Sequence, residues 1–208
     1  LTHIRHSEKV FVMKRLLLIL ILTFSFQSWT KADDIRDFEI NRISIGDSIL
    51  KFYDINELKS NVTYWPKSKK HAYFTDYNFN FNKYESIQLT YRTNDINYTI
   101  IGIAVGFFYE NNSMKECYNL QNEVITDLKP LFPNTKIEYG EIQKHRTDPS
   151  GKSTYKSNYF RLENGDSVQI GCYKFSQKMK NEKNYANNFS IRMYIKEHGD
   201  FIINEAYK

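Results

Sequence analysis

The chain has 208 residues, of which 41% are hydrophobic and 25% charged, with 29 Lys and Arg against 24 Asp and Glu. The net charge of +5 points towards nucleic acid, but five of the basic residues and one acidic residue fall within 1–32, so residues 33–208 carry 24 against 23. A balance that close to neutral excludes the strongly basic class of nucleic-acid binders, and no such partner is expected.

Residues 1–12 read as an upstream extension ahead of Met13. Lys14 and Arg15 then precede the apolar run Leu16 to Leu22, extended by Phe24 and Phe26, which is the order of a secretory signal peptide over 13–32. Thr30 and Ala32 supply small residues before the cleavage point, expected between Ala32 and Asp33. A membrane-crossing helix needs about 18 or more apolar residues. This run is shorter, so no stable membrane insertion is expected after cleavage; retention as an anchor is the other reading. Residues 33–208 suit one domain with its own core.

Gly46-Asp47-Ser48 reads as a turn into a helix, with Ile49, Leu50, Phe52 and Tyr53 as its buried face. Asp54 and Glu57 form a second start of capping-box type, so one or two short helices are expected over 47–60. From Tyr73 to Tyr91 the period changes to two. Tyr77, Phe79 and Phe81 alternate with asparagines, and Ile87, Leu89 and Tyr91 alternate with Gln88 and Thr90, the pattern of strands with one buried face. The run Tyr98 to Tyr109, rich in Ile, Val and Phe, reads as a central strand. Ser113 and Glu116 make a capping box, and Cys117, Leu120, Val124, Leu128 and Leu131 follow at helical steps, giving the main helix over 113–132 with an irregular last turn at Pro130.

Lys136 to Lys144, Tyr155 to Leu162 and Ser167 to Phe175 read as strands, the last two joined by Asn164-Gly165 in a type I′ turn. Asn181 to Asn188 reads as a polar loop, Phe189 to Ile195 as a final strand, and the rest as a short tail. The fold class expected is α+β: a single domain with an antiparallel sheet of about five to seven strands on one main helix. Cys117 lies on the helix's buried stripe and Cys172 on a sheet face with Val168 and Ile170, so an exported chain is expected to bridge them. Two buried free thiols are the other reading.

Motifs for chemistry are few. Gly151-Lys152-Ser153 imitates the end of a phosphate loop, but the glycine required five places earlier is Arg146, and the segment reads as a turning loop. His71, His145 and His198 are far apart in sequence and lack metal-ligand spacing, so no metal and no cofactor is expected, and no catalytic residue is assigned. Tyr73, Tyr77, Phe79 and Phe81 form a possible ligand surface, since aromatic faces beside amides stack on sugars. The competing reading buries Tyr77, Phe79 and Phe81 in the core.

The runs K-A-D-D-I-R-D-F-E-I (Lys31 to Ile40), S-I-G-D-S (Ser44 to Ser48), E-C-Y (Glu116 to Tyr118), S-G-K-S (Ser150 to Ser153), G-D-S-V (Gly165 to Val168), Cys172-Tyr173 and the closing A-Y-K resemble those of uncharacterised small exported proteins of Pelagibacter-type marine alphaproteobacteria. The resemblance implies a Gram-negative periplasmic or secreted setting and carries no activity with it. The function expected is therefore a noncatalytic exported binding or envelope-interaction module, with an envelope protein or glycan as partner. The alternative is a small periplasmic hydrolase assembled from loops. Mass spectrometry of the exported protein is expected to find its N-terminus at Asp33; an intact Met13 terminus refutes cleavage.

Overall fold

The computed structural model describes residues 34–79, 84–109 and 114–208. The signal segment, the Ala32/Asp33 junction, Phe81 and the cap position Ser113 lie outside the described residues. After a single 3-10 turn at Ile35–Asp37, capped by Asp34, strands β1 (Glu39–Ile40) and β2 (Ile43–Ser44) form a small hairpin. Ser48 caps a second 3-10 turn, Ile49–Lys51, and Asp54 caps helix α1 (Ile55–Ser60), its carboxylate accepting from the Asn56 amide. Two short capped turns are what the sequence predicts. One turn cannot bury a whole stripe, however, and while Ile49 is fully enclosed, Leu50 and Phe52 are exposed.

The mixed α+β class holds, with a larger sheet than expected. Nine strands among the described residues, all paired antiparallel, run in the order β3 (Val62–Tyr64), β4 (His71–Asp76), β5 (Ser86–Arg92), β6 (Ile100–Phe108), β11 (Asn188–Tyr194), β10 (Ser167–Lys174), β9 (Thr154–Arg161) and β7 (Lys136–Glu138). The ninth, β8 (Gln143–Lys144), pairs with the other end of β9. The expected strand 136–144 is split because Gly140 crosses β9 too closely for any side chain: a Cβ there would sit 2.2 Å from the Ser157 carbonyl. The β9–β10 turn is also corrected. Only Gly165 has positive φ, +88°, whereas type I′ needs two such residues; the Gly165 amide donates to the Leu162 carbonyl and the Leu162 amide to the Asp166 carbonyl.

The main helix, α2 (Met114–Leu128), runs into a 3-10 turn at Lys129–Leu131 where Pro130 removes a donor. Its buried residues Cys117, Val124, Ile125 and Leu128 meet the alternating apolar positions of the sheet, among them Ile103, Val105, Phe160, Val168, Ile170 and Phe189, in one core cluster. Cys117 and Cys172 are disulfide-bonded, with Cα atoms 6.0 Å apart. Two further helices form, one running into the start of the stretch read as a loop over 181–188 and one in the stretch read as a tail. Helix α3 (Gln177–Lys183) starts at Ser176 and stops at Asn184 in the left-handed region, and α4 (Lys196–Asn204) follows β11 directly. Nothing local caps α4. The Lys196 amide donates instead to Asp166 Oδ1, 2.8 Å away in the β9–β10 turn.

With 55 residues of separation, the bridge is expected to contribute about 4 kcal/mol by restricting the unfolded chain. Urea unfolding of Cys117→Ala/Cys172→Ala should show a midpoint lowered accordingly; an unchanged midpoint would argue against that contribution.

Candidate functional site

Strand alternation sends one set of side chains into the core and the other to the opposite face of the sheet. Register defines that second face as cross-strand rows. One row reads Tyr159, Gln169, Arg192, Ala104 and Gln88 across β9, β10, β11, β6 and β5. The row on one side holds Ser157, Gly171, Ser190 and Gly106, and the row on the other holds Arg161, Ser167, Tyr194, Gly102, Thr90 and Tyr73. The centre is thus a floor of small residues, walled by tyrosines. Tyr173 folds its ring over Gly171, where a Cβ would lie only 2.6 Å from the ring.

Gln169 organises the β9–β10 half. Its Nε2 donates to Ser157 Oγ (2.8 Å) and lies 3.0 Å from the Tyr173 hydroxyl and 3.3 Å from that of Tyr159. Arg192 stacks on Tyr173 with Cζ 4.7 Å from the ring centroid. Three arginines lie on this face, and two are neutralised. Arg92 grips Glu197, with Nε 2.9 Å from Oε1, and Arg161 Nε is 3.0 Å from Glu138 Oε2 while its guanidinium covers Tyr159. Arg192, partly exposed at the centre, has no carboxylate within ion-pair distance among the described residues; its Nε is buried without a hydrogen-bond partner, and so is Ser190 Oγ two residues before it. Burial raises the hydroxyl pKa of Tyr73 to about 12 and also raises those of Tyr159, Tyr194 and Tyr207. All four are therefore neutral donors at physiological pH. Of these, Tyr207 also reaches solvent, as does the nearby Tyr185.

At the β4 end two histidines that are far apart in the sequence meet across the fold. His71 Nδ1 lies 3.1 Å from His198 Nδ1, and His71 Nε2 lies 3.2 Å from Glu197 Oε1. Glu197 is an acceptor, held ionised at about 2 by the hydrogen bonds from Arg92. A neutral His71 therefore carries its proton on Nε2 and accepts at Nδ1 from the His198 Nδ1–H. Both rings are buried, at 0% and 7% exposure, with Trp65 edge-on to His198 and to Phe201. Burial lowers both pKa values, that of His198 to about 3 with help from His71 and Arg192. The pair clamps α4 to the sheet and leaves no open approach for a substrate.

The residues singled out in the sequence are dispersed. Tyr73 lies on the polar face, edge-on to Trp65 at 4.7 Å. Tyr77 stands beyond the end of β4 and is 71% exposed, whereas Phe79 is buried in the main core; Phe81 lies outside the described residues. The strand ends at Asp76, so Tyr77 and Phe79 fall outside it. The Gly151-Lys152-Ser153 loop closes on a carboxylate: Asp148 accepts from the amides and hydroxyls of Ser150 and Ser153 and from the Ser176 hydroxyl, bonds that hold its pKa below the ordinary range. Arg192, Gln169, Tyr173 and the histidine pair were missed. The usable signal was the polar register of the last strands, Gln169-x-x-x-Tyr173 and Ser190-x-Arg192-x-Tyr194, alternating with Val168, Ile170, Ile191 and Met193. A cavity of about 40 Å³ on the other face, between α2 and the sheet, is far short of the roughly 150 Å³ that admits a benzene-sized guest.

Comparison with models of known protein families gives no match, and comparison with curated proteins gives none.

Because the folded protein holds its imidazoles neutral, the unfolded chain takes up protons first as the pH falls. Stability is then full above about pH 6.5 and declines below it, ahead of the loss of the Glu197 contribution below about pH 4.5. Urea unfolding between pH 6.5 and 4.5 is expected to show stability falling with pH, with a slope approaching about 1.4 kcal/mol per pH unit from His198 and a further share from His71. His71→Phe/His198→Phe should flatten it, leaving the share of His145, whose pKa burial also lowers. An unchanged slope in the double variant would contradict the assignment.

Proposed function

We propose that residues 33–208 form a noncatalytic binding module that works outside the cytoplasm, in the periplasm or secreted, and takes an envelope glycan on its tyrosine-rich sheet face. The observation that carries this reading is the set of tyrosines gathered around one unpaired guanidinium, over a floor of glycine, alanine and serine. Tyrosine offers a flat apolar ring with a polar tip, so it covers a sugar ring and bonds its hydroxyls at once. Tyr185 and Tyr207 present such rings to solvent, and Tyr73 lies within electrostatic reach of both hydroxyls. Export is supported by the pattern over 13–32 and by the Cys117–Cys172 bond, which persists in oxidising compartments. No helix among the described residues is long and apolar enough to cross a membrane.

The alternative, a small hydrolase, would draw on His71, His198 and Glu197. Both imidazoles are enclosed and the carboxylate is engaged by Arg92, so a binding role fits this arrangement better. Trp65 is the one tryptophan of residues 33–208, and it sits against Tyr73. Titration with neutral and acidic oligosaccharides is expected to change its fluorescence saturably for at least one of them, without cleavage products by mass spectrometry. Tyr207→Ala should weaken that binding by about 5- to 50-fold, the usual loss of one stacking ring. Cleavage of a bound sugar that disappears in His198→Phe would transfer the assignment to the hydrolase.

A further inference from the structure

We infer that Arg192 is an anion subsite of this face, and that the ligand is an acidic saccharide carrying a carboxylate on its ring. The inference rests on the binding reading above and adds to it the ligand's charge and the residue that recognises it. Among the three arginines of the face, Arg92 and Arg161 show how the fold satisfies a guanidinium, with a carboxylate placed on it from Glu197 or Glu138. Arg192 has no carboxylate within ion-pair distance and donates no hydrogen bond to any described residue, and its buried Nε and the Ser190 hydroxyl are both left without partners. Buried polar groups are nearly always paired. Two orphans at alternate positions of one strand, on one face, mark a place where a ligand supplies the missing acceptor. Tyr173 holds the guanidinium plane by stacking, and a fixed plane is what bidentate carboxylate recognition needs.

The rest of the surface selects among carboxylates. Arg192 lies on β11, which is paired on both sides by β6 and β10, so no free backbone edge is available there for a peptide to extend the sheet. One unpaired cation is too few for a nucleic-acid backbone, whose affinity comes from many neutralised phosphates. On β6 the residue opposite Arg192 is the small, partly exposed Ala104, while Gly102 beyond it is covered by His198, and the partly exposed Tyr159, Tyr194 and Gln88 bring hydroxyl and amide groups to the same stretch of surface. That combination fits a hydroxylated ring lying flat with its acid group on Arg192.

The test uses trigalacturonate and its fully methyl-esterified form, followed through Trp65 fluorescence and through the Arg192 Nε–Hε signal in ¹⁵N-correlated NMR spectra. The acid is expected to move the Nε–Hε signal and to bind at least 10-fold more tightly than the ester. Arg192→Gln should lose about 10- to 100-fold for the acid and make acid and ester equivalent, while Arg192→Lys should recover part of the loss. The comparison of acid with ester in the unaltered protein needs no variant to fold. Equal binding of acid and ester removes the anion subsite and leaves the binding face standing. Tighter binding of triglycine than of trigalacturonate, with the Nε–Hε signal moving, overturns the saccharide assignment in favour of peptide carboxylates. No response to any of the three probes counts against the subsite and, when neutral cello- and chito-oligosaccharides are silent too, against the binding face itself.

Discussion

The pairing of β11 between β6 and β10 is the constraint on which the molecule turns. A strand that arrives last in the chain is inserted at the middle of the sheet, matched over seven residue pairs on each side. Its alternation then acts on both layers at once. Phe189, Ile191 and Met193 go to the core, while Ser190, Arg192 and Tyr194 go to the opposite face. A slip of one residue would exchange the two sets, sending a guanidinium into the apolar layer and a phenylalanine onto the polar face. The cost of that exchange makes the register singular, and with it the position of Arg192.

The two layers are fastened separately. On the core side the Cys117–Cys172 bond ties α2 to β10 next to β11, and the Gln121 amide reaches the carbonyls of Ile170 (2.8 Å) and Lys156 (3.0 Å), bonding α2 to both β9 and β10. On the other side α4 is held by side chains from three places: Asp166 caps it, Arg92 engages Glu197, and His71 meets His198. Gly102 leaves room for this, since the His198 ring lies 3.4 Å from where its Cβ would stand. Two of these three contacts join residues more than a hundred positions apart.

Long elements with a local pattern were legible in the sequence. The alternation of Ile87, Leu89 and Tyr91, the apolar run through Val105 and the helical stripe from Cys117 to Leu128 all report burial within one segment, and all three elements form where that pattern lies. Helix α4 was not legible, because Gly199 interrupts it and its capping residue is Asp166, thirty positions earlier. The aromatic run after Tyr73 misled for the opposite reason: alternation continued in the letters after the strand had ended at Asp76. Arg192 could have been noticed as a polar position on an alternating strand. That it lacks a carboxylate could not, since the pairings of Arg92 and Arg161 depend on which strands become neighbours.

The charge of this face follows from the neutral imidazoles around it. Arg192 lowers the pKa of His198 and also that of His145, whose main cause is burial in both cases, so the guanidinium acts on both histidines. With both rings neutral, it remains the single unpaired cation of the three arginines on the face. An uncompensated, partly buried cation is unfavourable by itself, since desolvation is not returned by a partner. The interaction energy is reciprocal: an anion bound to Arg192 relieves the repulsion that it imposes on the imidazoles, and protonated imidazoles would in turn favour the anion. An anion on Arg192 would therefore link binding to acid stability through one guanidinium, whose position is decided by the register of β11.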